Sequence, residues 1–523
     1  MAINAAVANT IKSPRGFLYK VWYLYSFLDF FILTTWFLRL FNGNAVLKSL
    51  IVKGNVTAVK LALYAGSDVK MISAGDQSLL HLSADHNNEG AFLTVLENTS
   101  HLSNQERIDL IFKSDVLDRT AIEYVLENNQ QKAMQHLVNA VSEIDLSAAD
   151  ESGLTLLHVA TWLRNQALFD LVIDKISKLP LVERMSVLNA VTTNGSGAIH
   201  YAVNWNNQNT QRLLDMGANI QLANKHGETV LHLAALGGHD QIVKNILTTI
   251  KQDAEMTEAA APTAAAPKTP SQNMAEVFKV CMKTDKNGST PLQLAASNNH
   301  VKCINEQFAG MSKAQKAAMQ QHKDKSGMTA FLDAVVAGNV AVATLLRQNG
   351  AHILAQNKHN ETPLILSAKL GKKDVVIQLL KWIQNLPIKQ QLDYINAKGP
   401  NGTALQMAAS HKDPSIVDSL LKHIAILNLR ALKPNLLQAV QNISPKKLPA
   451  QIKNKIVAVI TKGDKENDAP VVIAQNHKRR EVLNLFRDYG FKAPANWKVP
   501  AEPAAKPATV APKRQPQYFT FGK

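Results

Sequence analysis

The sequence predicts an all-α solenoid of about ten divergent helix-turn-helix repeats. Three observations carry that prediction. Residues 226–247, HGETVLHLAALGGHDQIVKNIL, alternate turn residues with apolar positions at helical spacing, which gives two short helices. Copies of this stretch recur along the chain, and two such helices can bury their apolar faces only by stacking on copies. Between some copies lies a second short motif, also at helical spacing, so several repeats carry an extra third helix.

Within residues 226–247, Gly227 occupies the entering turn and Thr229 caps the first helix. Leu231, Leu233, Ala234 and Ala235 form its packing face. Gly238 ends it, and Ile242, Val243, Ile246 and Leu247 form the apolar face of the second helix. With Thr229 as anchor, the equivalent positions are Ser78, Thr120, Thr155, Gly197, Thr290, Thr329, Thr362, Thr403 and Ala469. The text repeats with them: SLLHLSA from Ser78, TLLHVAT from Thr155, TPLQLAA from Thr290, TPLILSA from Thr362 and TALQMAA from Thr403. This resembles the ankyrin repeat, whose signature runs G-x-T-P-L-H-x-A-A, then G-H and an apolar second helix. The full Thr-Pro pair occurs at Thr290 and Thr362, and Gly-His only at Gly238 and His239. The resemblance covers roughly residues 44–491 and implies an ankyrin-repeat solenoid whose concave groove binds partners. A half-copy from Leu47 reads as a repeat whose first helix has diverged.

In chain order, residues 1–43 form an aromatic-rich hydrophobic segment. Residues 17–41 hold 11 aromatic side chains, and the 18 residues between Lys20 and Arg39 contain one charge, Asp29. The length is near the lower limit of a membrane span. Such a segment either associates with a membrane or covers the end of the stack. Residues 44–252 are read as an N-terminal repeat array. The Ala/Pro-rich insert at 253–275 has the composition of a flexible loop or hinge. A basic C-terminal array at 276–491 precedes a basic, Pro-rich tail at 492–523, expected to be disordered.

The anchors are separated by 42, 35, 42, 32, 61, 39, 33, 41 and 66 residues, against a family period of about 33. The long intervals carry the second motif: LSNQERIDLI from Leu102, LPLVERMSVL from Leu179, MSKAQKAAMQ from Met311, LPIKQQLDYI from Leu386 and, more loosely, LPAQIKNKIV from Leu448. Ser or Pro after an apolar residue, then apolar residues at helical spacing, predicts a short capped helix. MAEVFKVCM from Met274 is expected to restore the same helix after the insert.

The net charge of +16 is uneven. Residues 1–260 hold 20 basic and 25 acidic side chains, whereas residues 261–523 hold 37 and 16. That asymmetry points to an anionic partner for the second half, with Lys372, Lys373, Lys478, Arg479 and Arg480 as candidate contacts. Two cysteines, Cys281 and Cys303, are too few for a disulfide framework and are expected to be small buried residues. His81, His158, His200 and His232 all occupy the fourth place of the T-P-L-H unit. The resemblance implies that they tie neighbouring repeats together rather than bind metal. No nucleotide-binding, zinc-protease or nucleophile-elbow motif occurs, so neither an enzyme nor a cofactor is expected.

Recognition is expected at the ends of the first helices. The two positions after the paired alanines supply, among others, Glu127, Trp162 with Leu163, Asn204 with Trp205, and Leu236. Trp162 and Trp205 come from consecutive repeats and form the candidate hot spot. The leading reading is a monomeric, non-enzymatic scaffold for a protein partner. Its looser resemblance to ankyrin proteins that intracellular bacteria deliver into host cells implies a host protein and a cytosolic or membrane-associated site of action. An anionic-lipid or nucleic-acid binder is the alternative, with nucleic acid disfavoured by the scarcity of aromatics in the basic half. A cryptic enzyme without recognisable motifs is the third.

Overall fold

A computed structural model describes residues 43–493 except 65, 74, 114, 118, 129, 131, 134–135, 138–145, 148, 150–151, 163–165, 204–206, 260–269, 433–443 and 463–468. The chain divides into two compact units, Met1–Ala234 with Gln241–Met256, and Ala235–Asp240 with Thr257–Lys523. The hydrophobic segment at 17–41 and the tail from 494 lie outside the described residues. Among the described residues, no helix is long and apolar enough to cross a membrane.

Every anchor is followed directly by a helix. In the first unit these first helices begin at Leu79–Asp85, Ala121–Glu127, Leu156–Trp162, Ala198–Val203 and Val230–Gly237, the last of which runs past the unit's boundary. In the second they are Pro291–Ser297, Ala330–Ala337, Pro363–Lys369, Ala404–Ala409 and Pro470–Asn476. The start is set locally. The Thr290, Thr329, Thr362 and Thr403 hydroxyls each accept the backbone N–H three residues on, which satisfies a donor the helix leaves open. Pro291 and Pro363 add the fixed backbone angle that suits a first helical turn. First helices pack on second ones, as Glu89–Glu97 packs on Leu79–Asp85 and Val340–Gln348 on Ala330–Ala337. The half-copy at Leu47 proves to be a complete pair, Gly43–Val52 and Val56–Tyr64, with Leu47 and Ile51 fully buried.

The third helices are present where the second motif placed them: Asn104–Phe112, Leu181–Leu188, Lys313–Gln321, Ile388–Ile395 and Ala450–Thr461. Ser103 and Ser312 close capping boxes with Glu106 and Gln315, and Pro180, Pro387 and Pro449 occupy the equivalent cap positions. Two features depart from expectation. The insert is shorter as a loop than its composition predicts: Asp240–Ala259 extends helix into it and Pro270–Cys281 starts within it. Ala and Glu are strong helix formers, which carries the first of these helices to Ala259. The loops before the anchors are also more ordered than plain turns. Ile72 bridges Ser78, Val191 bridges Gly197 and Ala223 bridges Thr229, while Lys398–Gly399 pairs with Gly402–Thr403. Each is a small hairpin.

Candidate protein-binding surface

The hairpins and caps share one hydrogen-bond network. The Ser78, Thr155, Gly197 and Thr229 backbone N–H groups donate to Nδ1 of His81, His158, His200 and His232 at 3.1–3.2 Å. Nδ1 is therefore the acceptor and the proton sits on Nε2. His81 Nε2 donates to Arg119 O and His158 Nε2 to Ser196 O, both at 3.1 Å, so each imidazole reaches the hairpin of the following repeat. All four rings are buried, and burial holds the His81 and His200 imidazoles below their ordinary pKa. For His81 and His158 the expected tying role is what these geometries perform. In the second unit Gln293 reproduces the pattern: its Oε1 accepts from Thr290 N at 3.1 Å and its Nε2 donates to Met328 O at 3.0 Å.

Four turns are braced by a side chain five residues before the anchor. Asn224, Asp285, Asp324 and Asn357 Oδ1 each accept two backbone N–H groups of their own turn. The following residue then donates its backbone N–H to the tip of the repeat before. Lys325 N reaches Asn287 O at 2.9 Å, and Lys358 N reaches Ser326 O at 3.1 Å. Glycine permits this approach. Gly288 and Gly327 have φ of +77° and +75°, and a Cβ on Gly327 would lie 2.5 Å from Lys358 N.

At the other end of five first helices a carbonyl accepts from the next repeat. Asn128 Nδ2 and Gln130 Nε2 donate to Ala84 O, His300 Nε2 to Leu236 O, Asn339 Nδ2 to Ala296 O, His411 Nε2 to Lys369 O and Arg479 Nε to Ser410 O, at 2.6–3.2 Å. The backbone there is held, while the adjacent side chains are open. Asp85, His86, Asn298, Lys369, Leu370, Asn476 and His477 are exposed, and Leu236, Ser297, Val336 and Ser410 half-buried, immediately after buried positions of the same helices. Leu370 is 44% exposed, the kind of isolated apolar side chain that a partner covers.

Of the residues singled out from sequence, Trp162 ends the Leu156–Trp162 helix and is half-buried. Leu163, Asn204 and Trp205 lie outside the described residues. So does the side chain of Glu127, whose backbone ends the Ala121–Glu127 helix. Lys372 caps the Lys373–Ile383 helix, with Lys373 exposed beside it. Lys478 and Arg480 are exposed at the turn before the Arg480–Asp488 helix. Those two basic turns belong to repeats with the Thr403 repeat between them. Arg479 differs from its neighbours, because its Nε is engaged on Ser410 O. Cys281 and Cys303 are buried, and burial pushes the Cys303 thiol up to about 11. Among the described residues no cluster of His, Cys, Asp and Glu is arranged to hold a metal ion.

The lysines at the hairpin tips were missed. Lys225, Lys286, Lys325 and Lys358 occupy the same position, four residues before their anchors, in four consecutive repeats, and all are exposed. The signal was legible as a repeated Asp/Asn-Lys before the anchor.

Residues 175–258 and 265–357 match the family model for ankyrin repeats in three copies. Human rabankyrin-5 is 22% identical over 396 residues, covering 72% of this chain and 31% of that protein. Mouse NF-kappa-B inhibitor zeta is 25% identical over 171 residues, 31% of this chain and 22% of that protein. The human Notch-regulated ankyrin repeat-containing protein is 38% identical over 65 residues, 12% of this chain and 57% of that protein. The chain thus spans about a third of the length of rabankyrin-5. These relatives are animal proteins, and no bacterial effector stands among them. With the helix pairs above, the matches make the fold an ankyrin-repeat solenoid.

Proposed function

We propose that this chain is a non-enzymatic scaffold that captures a protein partner in the groove formed by its first helices. The observation that carries the reading is a division of labour within each first helix. The first turn and interior are committed to caps and core, and the C-terminal positions change chemistry from repeat to repeat on a constant backbone. A stack of that kind presents a row of independently variable contacts, which suits a macromolecular surface rather than a small substrate. Trp162 and Trp205 supply the aromatic anchors.

The experiment is capture from lysate with the full chain, wild type beside Trp162→Ala with Trp205→Ala. Loss of a reproducible partner with unchanged helical content and melting supports the groove; undiminished capture removes the tryptophans from the site. Residues 17–41 are proposed to hold the scaffold at a membrane surface, on the strength of their length and apolar content. Flotation with liposomes, with and without residues 1–43, tests this, and a full-length chain that stays at the bottom of the gradient refutes it. Action on a host protein after delivery by a bacterium is the further proposal that follows from the divergent repeats. It stands or falls with the identity of the captured partner.

A further inference from the structure

The geometry points to a second recognition surface: the hairpin tips of the second unit form a row of lysines that binds an extended acidic peptide segment. This rests on the scaffold reading and names the chemistry of one partner. Lys286, Lys325 and Lys358 stand at equivalent tip positions in three consecutive repeats, with Lys398 one residue earlier in the next hairpin. All four are exposed, and among the described residues no acidic side chain is found paired with Lys286, Lys325 or Lys358.

Two features distinguish this row from lysines that merely solvate a surface. The first is that the tips are joined to one another, because Lys325 N and Lys358 N bond the tip carbonyls of Asn287 and Ser326. The second is that the lysine stems are seated. Lys325 Cγ and Lys358 Cγ lie where a Cβ on Gly288 or Gly327 would meet them, at 3.4 and 2.8 Å. The first part of each of these two stems therefore lies over the glycine of the preceding tip, which lowers the entropy that it loses on binding. The neighbouring Asp285 and Asp324 carboxylates have Oδ1 committed to backbone N–H groups of their own turns. These bonds brace the turns that carry the lysines.

A carboxylate-bearing peptide fits better than a nucleic acid. No Phe, Tyr or Trp occurs in the three tips at 285–290, 324–329 and 357–362 to stack a base, whereas Asn287 and Ser326 place small polar groups between the lysines for hydrogen bonds to a peptide. The spacing of one lysine per repeat also requires a ligand whose charges lie along a line, as they do on an extended acidic segment.

The test uses the full chain and a fluorescein-labelled peptide of alternating glutamate and serine, followed by anisotropy. Comparison ligands are the glutamine counterpart and a single-stranded oligothymidylate of equal charge. Lys325→Glu with Lys358→Glu is expected to weaken the glutamate peptide about tenfold or more, and Lys325→Gln with Lys358→Gln, which keeps most of each stem, by less. Lys389→Glu with Lys455→Glu, an equal charge change at exposed positions on third helices, is expected to leave binding within about twofold. Circular dichroism should be the same for all three variants. Equal weakening by the tip and control variants would reduce the row to diffuse electrostatics and overturn the proposal, as would no binding of the glutamate peptide to wild type. Tighter, tip-dependent binding of the oligothymidylate would also overturn it, in favour of nucleic acid. Any of these outcomes leaves the tryptophan test readable, because that test uses different residues.

Discussion

The histidines at the first-helix caps are chemically defined by their acceptors and donors. Nδ1 takes a backbone N–H, so protonation of the ring breaks the cap from within. Burial lowers the His81 and His200 pKa values below the ordinary 6.5. The unfolded chain then takes up protons first as pH falls. The contribution of these rings is full above about pH 6.5 and is lost as pH drops through their lower folded-state values. Melting of the wild type is expected to fall between about pH 7 and pH 5 with a slope that His81→Gln and His200→Gln together reduce, since Gln293 performs the same two bonds without titrating. An unchanged slope would place the acid sensitivity elsewhere. Lys478 offers a test of opposite sign. It holds φ of +56° at a turn where Gly238, Gly338 and Gly371 occupy the equivalent place in other repeats. Lys478→Gly is expected to stabilise the fold by about 1 kcal/mol, read as a higher urea midpoint. A lower midpoint would show that the lysine is tied into the turn by its side chain. At this scale the cap residues were legible in sequence because their partners lie three residues away. The ring's second bond was not, because Arg119 O lies 38 residues beyond His81.

At the scale of elements, the third helices were readable because each carries its own start signal, Ser or Pro followed by apolar residues at helical spacing. Replacing Glu106 by Ala removes one arm of the Ser103 capping box and the pairing with Lys70 at 2.8 Å. That pairing, with the Ser103 bonds, holds the Glu106 carboxyl at about 2. Local fraying of Asn104–Phe112 is expected, visible as faster amide exchange in its first turn with the neighbouring first helices unaffected; no change would remove the box from the helix's stability. The hairpin ladder was not readable, because its bonds join backbone groups of successive repeats and any residue can supply them. Only the glycines betray it. Gly327→Ala puts a methyl group within 2.5 Å of Lys358 N at a positive φ and is expected to cost about 2 kcal/mol or more. Gly350, with nothing within 4 Å of its Cβ position, should lose only the backbone part of that cost, so equal urea midpoints for the two alanine variants would contradict close approach as the reason for glycine. The Ala-rich insert differs in the other direction: its composition resembles a loop, yet the helix before it continues to Ala259.

For the whole molecule, the repeat fold was legible because the same pattern recurs many times, so decay of individual copies is averaged out. Function was legible only as an expectation of protein interaction. Groove side chains are freed from packing, and no local rule therefore constrains their identity. The tip lysines show the same limit from the other side: they recur with the period of a structural position, and recurrence alone does not separate a contact from a packing duty. The two compact units differ in charge and in the residue that closes the cap, histidine in the first and glutamine at Gln293 and Gln406 in the second. A partner that engages the groove must slow exchange where the first helices end. Hydrogen–deuterium exchange of the full chain, alone and with its captured partner, reads this directly. Slowed exchange at the C-terminal turns of first helices such as Leu156–Trp162, Ala330–Ala337 and Pro363–Lys369 is expected, with second helices such as Val340–Gln348 unchanged. Protection confined to the second helices, or absent from the stack altogether, would contradict a groove-binding scaffold.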